Sequence, residues 1–476
     1  MNRQNFFGHL ALALTLIALA AFAGQMRRWN NQTAPAPGYK KPISYNYGTT
    51  RQAKNTEILV RFRMGTPLLK VKEIAARLND RFQDKFENIG NLAVIEDRDG
   101  DNVTKVLAQY RALDEVEYAE ANEEIRLDPE IRNFNRGSTR APGYPDVEYQ
   151  ANGPNDPKWS EQWSLDNSGQ RGGKRGADIR ALSAWAKTKG SAKVVVAVID
   201  SGVEYTHPDL MNNIWIRPAE INAYMDDELG AIDDKYGYNA VSNTGDPMDD
   251  NGHGTHCAGI IGAEGDNNLG IAGINWKVEI MPLKFISSNG SGTTKDAIEC
   301  INYVIDRKRA SVNVRIISAS WGSTANSSAL REAIKRAGDE GILFIAAAGN
   351  SSADSDRMPH YPAGYDLPNV VSVASLDRND LLSTFSNYGA KSVHIAAPGS
   401  EILSTWLGGQ YEEHSGTSMA TPEVAGVAAL VLTVEPKLSV GGLRHRLFDS
   451  VDKLDGLKGK VSTGGRLNAA RAVGAE

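Results

Sequence analysis

The chain has 476 residues, of which 41 % are hydrophobic and 23 % are charged, as is ordinary for a globular protein. Its net charge of −6 comes without a basic stripe, which argues against nucleic acid as a partner. With only two cysteines, Cys257 and Cys300, a fold stapled by several disulfides is excluded. The two lie on separate predicted helices, and we expect no bridge between them.

The N-terminal segment has the features of a signal peptide. Arg3 precedes the uncharged apolar run FFGHLALALTLIALAAFAG, which contains the small-x-small cleavage pattern Ala21-Phe22-Ala23. We therefore predict a signal peptide over residues 1–23 and a secreted protein, extracellular or periplasmic. The alternative is an uncleaved membrane anchor, because the run is nearly long enough to span a bilayer.

A small domain follows a polar linker. Residues 24–55 are rich in Pro, Asn and Gln, which is typical of a linker. After them, EILVRFR and NLAVIED indicate strands, LLKVKEIAARLNDRF and NVTKVLAQYRAL indicate amphipathic helices, and VEYAEANEEIRL indicates a final strand. This pattern predicts an α+β domain, ferredoxin-like, over residues 56–128. Residues 129–154 form a second predicted linker, rich in Pro, Gly, Asn and Arg.

The remainder, residues 155–476, has the pattern of a large α/β domain. Apolar runs such as KVVVAVIDSG, VEIMPLKFI, VRIISASWGS and ILFIAAAGN alternate with helical segments such as DAIECINYVIDRK and SALREAIKRAGDEG. Strands without polar alternation, separated by helices, predict a parallel central sheet flanked by helices. Functional sites in such sheets lie beyond the carboxyl ends of the strands.

Four polar residues stand at such positions. Asp200 and Asn350 end two of the strands, His253 opens the small-residue helix of DDNGHGTHCAG, and Ser418 lies in GTSMATP before an apolar helix. A serine nucleophile needs a base, the base needs an orienting carboxylate, and the oxyanion needs donors. Ser418 taken alone could simply cap its helix. The four together favour nucleophilic catalysis.

In the order Asp, His, Asn, Ser, these motifs resemble the subtilisin-like serine proteases. The resemblance covers the large domain nearly end to end, and the small domain looks like the family's inhibitory propeptide. It implies a secreted serine-type endopeptidase, made as a self-processing zymogen, that cleaves protein or peptide substrates through an acyl-enzyme. We expect a monomer whose own propeptide is an intramolecular inhibitor.

The resemblance also implies a role for each residue. Ser418 is the nucleophile, His253 the general base and Asp200 the group that orients His253. The Asn350 side chain and the Ser418 backbone N–H form the oxyanion hole. Three segments bind substrate, and their residues are Gly290, Ser291, Gly292, Ser320, Trp321, Gly322, Ala347, Ala348 and Gly349.

The three substrate-binding segments have separate expected tasks. An extended peptide would pair between the first segment, residues 290–292, and the second segment, residues 320–322. Trp321 would help to wall the pockets. The third segment, residues 347–349, would line the pocket for P1, the substrate residue before the scissile bond. His360 falls where the family often has a small residue at that pocket's floor. We expect a loop histidine that faces solvent, and the alternative is a shortened or polar P1 pocket.

The processing site is placed by the same resemblance. The family's usual distance after VEYAEAN points near Asp128, but Pro129 follows that bond. Bonds before proline are cleaved poorly, which favours a site further along the linker.

Structural Ca²⁺ is a further implication of the resemblance. The matching ligands are Gln162, Asp209 and Asn267, with the backbone carbonyls of Gly265, Leu269 and Ile271, and such oxygens suit Ca²⁺. The alternative is an ordinary Asn-rich turn. The acidic stretch YMDDELGAIDDKYGY lies where some relatives carry another calcium loop. Its pattern is degraded, and we expect a solvated insertion that binds weakly if at all.

Two other functional classes fit the sequence less well. A pseudoprotease that binds without cleaving would leave one catalytic role vacant, and no role is vacant here. An esterase of the G-x-S-x-G type would have the chain order Ser, Asp, His. Ser418 instead lies in GTSMA, after both Asp200 and His253.

Overall fold

The structure is a computed structural model that describes residues 56–128, 131 and 153–476. The predicted signal peptide, the first linker and most of the second lie outside the described residues.

The small domain is an antiparallel sheet covered by two helices on one face. Its strands are β1 (Glu57–Phe62), β2 (Arg81–Lys85), β3 (Leu92–Glu96), β4 (Val116–Ala121) and β5 (Glu124–Arg126), and its helices are α1 (Leu68–Arg77) and α2 (Val103–Arg111). The first four strands form the sheet, in the order β2-β3-β1-β4. Each helix buries an apolar face against it, from Val71 and Ile74 on α1 and from Val106 and Tyr110 on α2. The predicted α+β class is confirmed.

The large domain has a nine-stranded central sheet. The strands of this domain are β6 (Gly190–Asp200), β7 (Tyr224–Asp226), β8 (Gly230–Ile232), β9 (Tyr238–Asn239), β10 (Lys277–Lys284), β11 (Ser291–Thr293), β12 (Val314–Ala319), β13 (Leu343–Ala347), β14 (Val370–Leu376), β15 (Ile395–Pro398), β16 (Ile402–Trp406), β17 (Gln410–His414), β18 (Asp452–Lys453) and β19 (Gly465–Arg466). The helices are α3 (Ala181–Trp185), α4 (His253–Gly262), α5 (Thr294–Arg309), α6 (Ser328–Asp339), α7 (Thr417–Val434), α8 (Val440–Asp449) and α9 (Ala469–Val473).

The sheet order is β18-β19-β15-β14-β13-β12-β6-β10-β9, and its strand pairs are parallel except for β18 with β19. Strands β13 and β14 are buried along their whole length, which explains their unbroken apolar sequences. The predicted α/β class is therefore confirmed. The short antiparallel pairs β7–β8 and β16–β17 lie outside the sheet and were not predicted.

Helix α7 crosses the core, and its sixth residue is a proline. By length and composition it could cross a membrane, but 89 % of it is buried within the protein. Pro422 has no N–H to donate to the carbonyl of Ser418, one turn earlier. That carbonyl instead accepts hydrogen bonds from Ser320 Oγ (2.8 Å) and Cys257 Sγ (3.6 Å). The proline therefore frees a carbonyl that ties three segments together.

The segment VEYAEANEEIRL is two strands rather than the single strand we predicted. β4 belongs to the small domain's sheet, whereas β5 leaves it and pairs with β11 of the large domain. Between them the chain turns over the start of α5. There the N–H of Thr294 donates to the carbonyl of Glu123 (2.9 Å), and the N–H of Lys295 to Oδ1 of Asn122 (2.9 Å). Contacts across the domain boundary thus end β4, and no local pattern signals them.

The small domain is also bound to the start of α6. Both carboxylate oxygens of Glu120 accept hydrogen bonds there, from the N–H groups of Ser328 (2.9 Å) and Ala329 (3.1 Å). A carboxylate at a helix N-terminus satisfies unpaired N–H groups and complements the helix dipole. The buried Arg61 adds an ion pair with Glu332 (2.9 Å). The small domain therefore contacts the two helices that flank the substrate-binding segments.

Candidate active site

Asp200 and His253 form a hydrogen-bonded pair at the carboxyl end of β6. The Asp200 side chain is fully buried, and its Oδ1 accepts from Nδ1 of His253 (2.7 Å) and from the N–H of Ser201 (2.7 Å). A Cβ on Gly254 would lie 2.0 Å from the carbonyl oxygen of Gly202 and 3.1 Å from Cβ of Asp200. The glycine after His253 is therefore required for α4 to approach β6 this closely.

The surroundings of His253 favour an imidazole that can accept and hold a proton. Burial lowers the pKa of His253, but the charge of the Asp200 carboxylate and its hydrogen bond outweigh that effect, so the pKa lies above its ordinary value. Because Nδ1 is bound to Asp200, the other ring nitrogen is left for the nucleophile.

Asp249 holds this pair in place and was missed by sequence reasoning. It is buried, and its Oδ1 accepts from Ser201 Oγ (2.9 Å) and the N–H of Gly252 (3.0 Å). Its Oδ2 accepts from the N–H (3.0 Å) and Oγ1 (2.6 Å) of Thr255. Asp249 thereby joins the first turn of α4 to the turn after β6. An aspartate just before a helix is an N-cap signal, and that signal could have identified it.

Ser418 lies in the first turn of α7, beside Asn350. Its Oγ donates to the backbone carbonyl of Ser320 (2.9 Å). Oδ1 of Asn350 accepts from the N–H (2.8 Å) and Oγ1 (2.9 Å) of Thr417, which leaves the Asn350 Nδ2 to donate elsewhere. A Cβ on Gly416 would lie 3.4 Å from that Nδ2 and 3.5 Å from the backbone N of Ser418. The two expected oxyanion donors therefore flank one small space beside Gly416.

Cys257 lies between the helices that carry the histidine and the serine. Its Sγ is 3.6 Å from the carbonyl oxygen of Ser418, it is fully buried, and burial raises the pKa of its thiol well above the ordinary value. It packs as a small apolar residue and holds little thiolate. Cys300 is also buried and free, so the two cysteines form no bridge.

The segment after β4 occupies the edge formed by the first predicted substrate-binding segment. β5 pairs antiparallel with β11, with Ile125 opposite Gly292. One step further, the N–H of Leu127 donates to the carbonyl of Gly290 (2.9 Å). The second predicted edge is on the other side, where Arg126 bridges antiparallel to Gly322. The chain thus lies as a strand between two edges, as an extended peptide bound by β-augmentation would.

Asp128 brings this strand to the catalytic histidine. Leu127, Asp128 and His253 line one cavity, together with Trp406 and His414. The negative charge of Asp128 also acts on two imidazoles: it adds to the raised pKa of His253 and opposes the lowering of the pKa of His360 by burial. The end of the small domain therefore lies at the catalytic residues themselves.

His360 is buried in the cleft, and our expectation of a solvent-facing loop histidine was wrong. It is 9 % exposed. A Cβ on Gly322 would lie 2.3 Å from Nε2 of His360, and a Cβ on Gly349 would lie 3.0 Å from its Cγ. The imidazole therefore fills the space between the second and third substrate-binding segments. Burial lowers the pKa of His360, and the negative charge of Asp128 opposes that effect.

The side chain of Trp321 does not wall a pocket, contrary to our expectation. It is 2 % exposed, and its indole N–H donates to the carbonyl of Ile199 (2.7 Å). Its ring packs against Phe285 and Phe344. The Trp321 side chain anchors the second predicted substrate-binding segment, residues 320–322, to the central sheet. Only the backbone of Trp321 is available to a substrate.

The side chains of the predicted calcium ligands are engaged in hydrogen bonds. Both amide atoms of Gln162 bind the backbone of Ala272 (2.8 and 2.9 Å). Asp209 accepts from Nδ2 of Asn267 (2.8 Å) and from the hydroxyl of Tyr411 (3.1 Å). In this arrangement both amide atoms of Gln162 are engaged by backbone groups, whereas Asp209 and Asn267 offer oxygens of the kind that suit Ca²⁺. Calcium at this site stays a prediction.

Backbone N–H groups near Asp209 also donate to the side-chain oxygens of this arrangement. The N–H of Ile271 donates to Asp209 Oδ2 (3.0 Å) and that of Leu269 to Oδ1 of Asn267 (2.8 Å). Burial raises the pKa of Asp209 to about 6, and the nearby carboxylate of Asp156 adds to the shift. A bound cation would have the opposite effect on this pKa.

Models of two families match the sequence. The Subtilase family model matches residues 191–474, and the model of the fervidolysin N-terminal prodomain matches residues 49–122. Thermitase of Thermoactinomyces vulgaris is 38 % identical over 320 residues, which cover 67 % of this chain and 99 % of thermitase. Subtilisin-like protease 1 of Plasmodium falciparum (isolate 3D7) is 36 % identical over 301 residues, 58 % of this chain. The chain spans 43 % of that relative's length.

Solved structures share this fold. Fervidolysin from Fervidobacterium pennivorans, a keratinolytic enzyme related to subtilisin, has a TM-score of 0.66 at 24 % identity, covering 88 % of this chain and 61 % of that chain. A protease from Pseudoalteromonas arctica PAMC 21717 has a TM-score of 0.55 at 27 % identity, covering 68 % and 99 %. Likeness to fervidolysin extends over more of the chain than the large domain alone and supports the two-domain architecture.

Replacing Tyr411 with phenylalanine tests the hydrogen-bonded arrangement at Asp209. The variant removes the hydroxyl that donates to a buried carboxylate, so we expect a loss of about 1.5–3 kcal/mol in the free energy of unfolding. Denaturant unfolding of Tyr411→Phe measures it, with Tyr236→Phe, a half-buried tyrosine stacked on Tyr205, as control. If added calcium restored the stability of Tyr411→Phe, a metal site at Asp209 would replace this account.

Proposed function

The chain belongs to the subtilase family, and we propose that it is a secreted serine endopeptidase made as a self-processing zymogen. The observation that carries the proposal is the segment 124–128, which lies as a strand in the substrate cleft and ends beside His253. The small domain is then its inhibitory propeptide. Secretion depends on the predicted signal peptide, which lies outside the described residues.

The first half of the reaction forms an acyl-enzyme on Ser418. The hydroxyl turns from the carbonyl of Ser320 to the free ring nitrogen of His253, which removes its proton as Oγ attacks the carbonyl carbon of the substrate. The oxyanion receives hydrogen bonds from Asn350 Nδ2 and the Ser418 N–H, close to the N-terminus of α7. Asp200 stabilises the imidazolium that forms. The imidazolium then gives its proton to the leaving amine.

The second half returns the enzyme to its starting state. Water enters where the amine left, and His253 takes its proton as the oxygen attacks the acyl carbon. The same donors stabilise the second oxyanion, and Ser418 leaves as the alkoxide that the imidazolium protonates. The released product is a peptide with a free carboxylate at its P1 residue.

The pairing of β5 fixes the register of the bound propeptide. Arg126 bridges to Gly322, and Leu127 donates to Gly290. Because the next residue, Asp128, lines the same cavity as His253, we assign it to the P1 position. The bond that follows joins Asp128 to Pro129. We infer that this bond is cleaved poorly and that the segment inhibits as a bound substrate. Processing then occurs further along residues 129–154.

The buried imidazole of His360 makes the P1 pocket short and polar. It lies between Gly322 and Gly349, and the negative charge of Asp128 acts on it. A protonated His360 would bind a short carboxylate side chain at P1 by a charge-assisted hydrogen bond. We propose that the enzyme prefers aspartate at P1, as its own propeptide presents.

Variants of the catalytic triad test the proposed reaction. Ser418→Ala and His253→Ala should each lower kcat on peptide substrates by about 10⁴-fold or more, because neither can form the acyl-enzyme. Ser439→Ala, an exposed serine whose hydroxyl caps α8, is the control and should keep most of its kcat. Equal hydrolysis by wild type and Ser418→Ala, after purification from other proteases, would refute the proposal.

The role of His360 has its own pH signature. For matched peptides with Asp or Asn at P1, the ratio of kcat/KM values cancels the titration of His253, which both substrates share. Because burial lowers the pKa of His360, its protonated form is gained only as the pH falls through that lowered pKa. We expect the Asp/Asn ratio to rise about 10-fold or more as the pH falls from 8 through that lowered pKa. The ratio should stay flat in His360→Gln, and a flat ratio in wild type would contradict the P1 assignment.

A further inference from the structure

Lys284 is a buried cation at the end of β10, next to the strand that carries Asp200. It is 4 % exposed, and its backbone lies in register with that of Asp200 on the neighbouring strand β6. A buried ammonium group loses its hydration, so acceptors and an opposite charge must compensate it. The proposed peptidase reaction gives this lysine no step. Its presence beside the catalytic aspartate therefore needs an explanation of its own.

Three acceptors saturate the ammonium group of Lys284. Its Nζ donates to the backbone carbonyls of Ser201 (2.8 Å) and Ile286 (2.8 Å) and to Oδ1 of Asp250 (2.6 Å). An ammonium group has three N–H donors, so each of them has an acceptor. Asp250 supplies the compensating charge from a side chain that is 54 % exposed. The lysine is therefore held in one place and has no donor left for a substrate.

The three acceptors belong to three different parts of the candidate active site. Ser201 is the residue that follows the catalytic aspartate at the end of β6. Asp250 lies in the turn before α4, the helix that begins with His253. Ile286 lies on the segment that leads to the first substrate-binding segment, residues 290–292. One ammonium group therefore joins the aspartate, the approach to the histidine and the approach to the substrate edge.

The segment after this lysine also binds the backbone of Asp200. The N–H groups of Phe285 (2.9 Å) and Ile286 (3.2 Å) both donate to the carbonyl of Asp200. Further along, the N–H (2.9 Å) and Oγ (2.7 Å) of Ser287 donate to the carbonyl of Ser291. A short series of hydrogen bonds therefore links Asp200 to the middle of the first substrate-binding segment.

We propose that Lys284 is a positioning residue that keeps the Asp200–His253 pair in register with the first substrate-binding segment. The inference rests on the proposed peptidase reaction and adds a residue that acts through others. Asp249 already joins the turn after β6 to the first turn of α4. Lys284 extends that connection to the edge on which a substrate pairs. Small displacements of a catalytic group from its productive position cost large factors in rate, so loss of this anchor should lower kcat.

Kinetics of Lys284→Met test the positioning role, because methionine fills much of the same space without the charge or the donors. We expect kcat per titrated active site to fall about 10-fold or more. The ratio of kcat/KM for a peptide with several residues before the scissile bond to that for a substrate with P1 alone should fall about 3-fold or more. Lys277→Met, on the same strand but exposed and paired with Glu264 (2.9 Å), is the matched control and should keep the parent values.

Proton NMR of the full-length Ser418→Ala chain gives a readout that needs no hydrolysis. The Nδ1 proton of His253, in its short hydrogen bond to Asp200 (2.7 Å), should give a resonance far downfield. We expect that resonance to broaden or disappear when Lys284→Met is added and to persist when Lys277→Met is added. A wild type that hydrolyses no peptide would contradict the proposed function, and this spectrum would then decide the role of Lys284 by itself.

Variants of Asp250 cover the case in which Lys284→Met does not fold. Asp250→Ala changes an exposed side chain, removes one acceptor of the ammonium group and should lower kcat about 3-fold. Asp250→Asn keeps an oxygen acceptor and should restore most of that loss.

The result that would overturn the positioning role is a lysine that matters for stability alone. Lys284→Met would then have a lower melting temperature, yet an unchanged kcat per active site, an unchanged ratio for long and short substrates and an intact downfield resonance. If Lys284→Met did not fold, an unchanged kcat in Asp250→Ala would overturn it.

Discussion

The buried carboxylate of Asp200 sets the constraint that the rest of the active site meets. It lies fully buried at the end of a parallel strand and accepts hydrogen bonds from Ser201 and His253. Burial of a charge is tolerated only with hydrogen-bonding partners, so the imidazole must stay where it is. The close approach of Gly254 to β6 and the hydrogen bonds that Asp249 accepts near the start of α4 both keep the imidazole within hydrogen-bonding distance of Asp200. The proposed catalytic base, His253, is thus oriented by the same contacts that allow the Asp200 carboxylate to be buried.

The small domain is bound to the large domain by groups that satisfy unpaired backbone atoms at the ends of two helices and at the edge of one strand. Glu120 satisfies N–H groups at the start of α6, Asn122 does so at the start of α5, and β5 pairs with the open edge at β11. Helix starts and strand edges are places where backbone groups lack partners. The same edge must later accept substrates, so the propeptide inhibits by the interactions through which substrates bind.

The candidate catalytic residues can be recognised in the sequence because each lies in a short local motif. Asp200, His253, Asn350 and Ser418 each end a strand or begin a helix, and the structure brings Asp200 to His253 and the Ser418 N–H to the Asn350 side chain. The parallel sheet was also predictable, since buried strands such as β13 have unbroken apolar sequences. These features depend on periodicity and on residue type at element ends.

What could not be predicted depends on contacts between distant segments. The burial of the His360 side chain can be recognised only from the tertiary structure, which places Gly322 and Gly349 against the imidazole ring. The break between β4 and β5 is caused by α5, more than 160 residues later in the chain. Trp321 and Gln162 carry the family's pattern, yet their side chains bind backbone carbonyls instead of facing a ligand. The motif predicts the course of the backbone at these positions, but tertiary packing determines which groups the side chains contact.

The most direct measurement is the intact mass of the full-length protein beside its Ser418→Ala variant, purified in the same way. The account predicts that wild type loses its small domain by a cut within residues 129–154, while the variant keeps that domain covalently attached. The mass of the shortened form would identify the cut. If both proteins kept the small domain after incubation, or both lost it at the same bond, Ser418 would not process its own chain and the zymogen account would be contradicted.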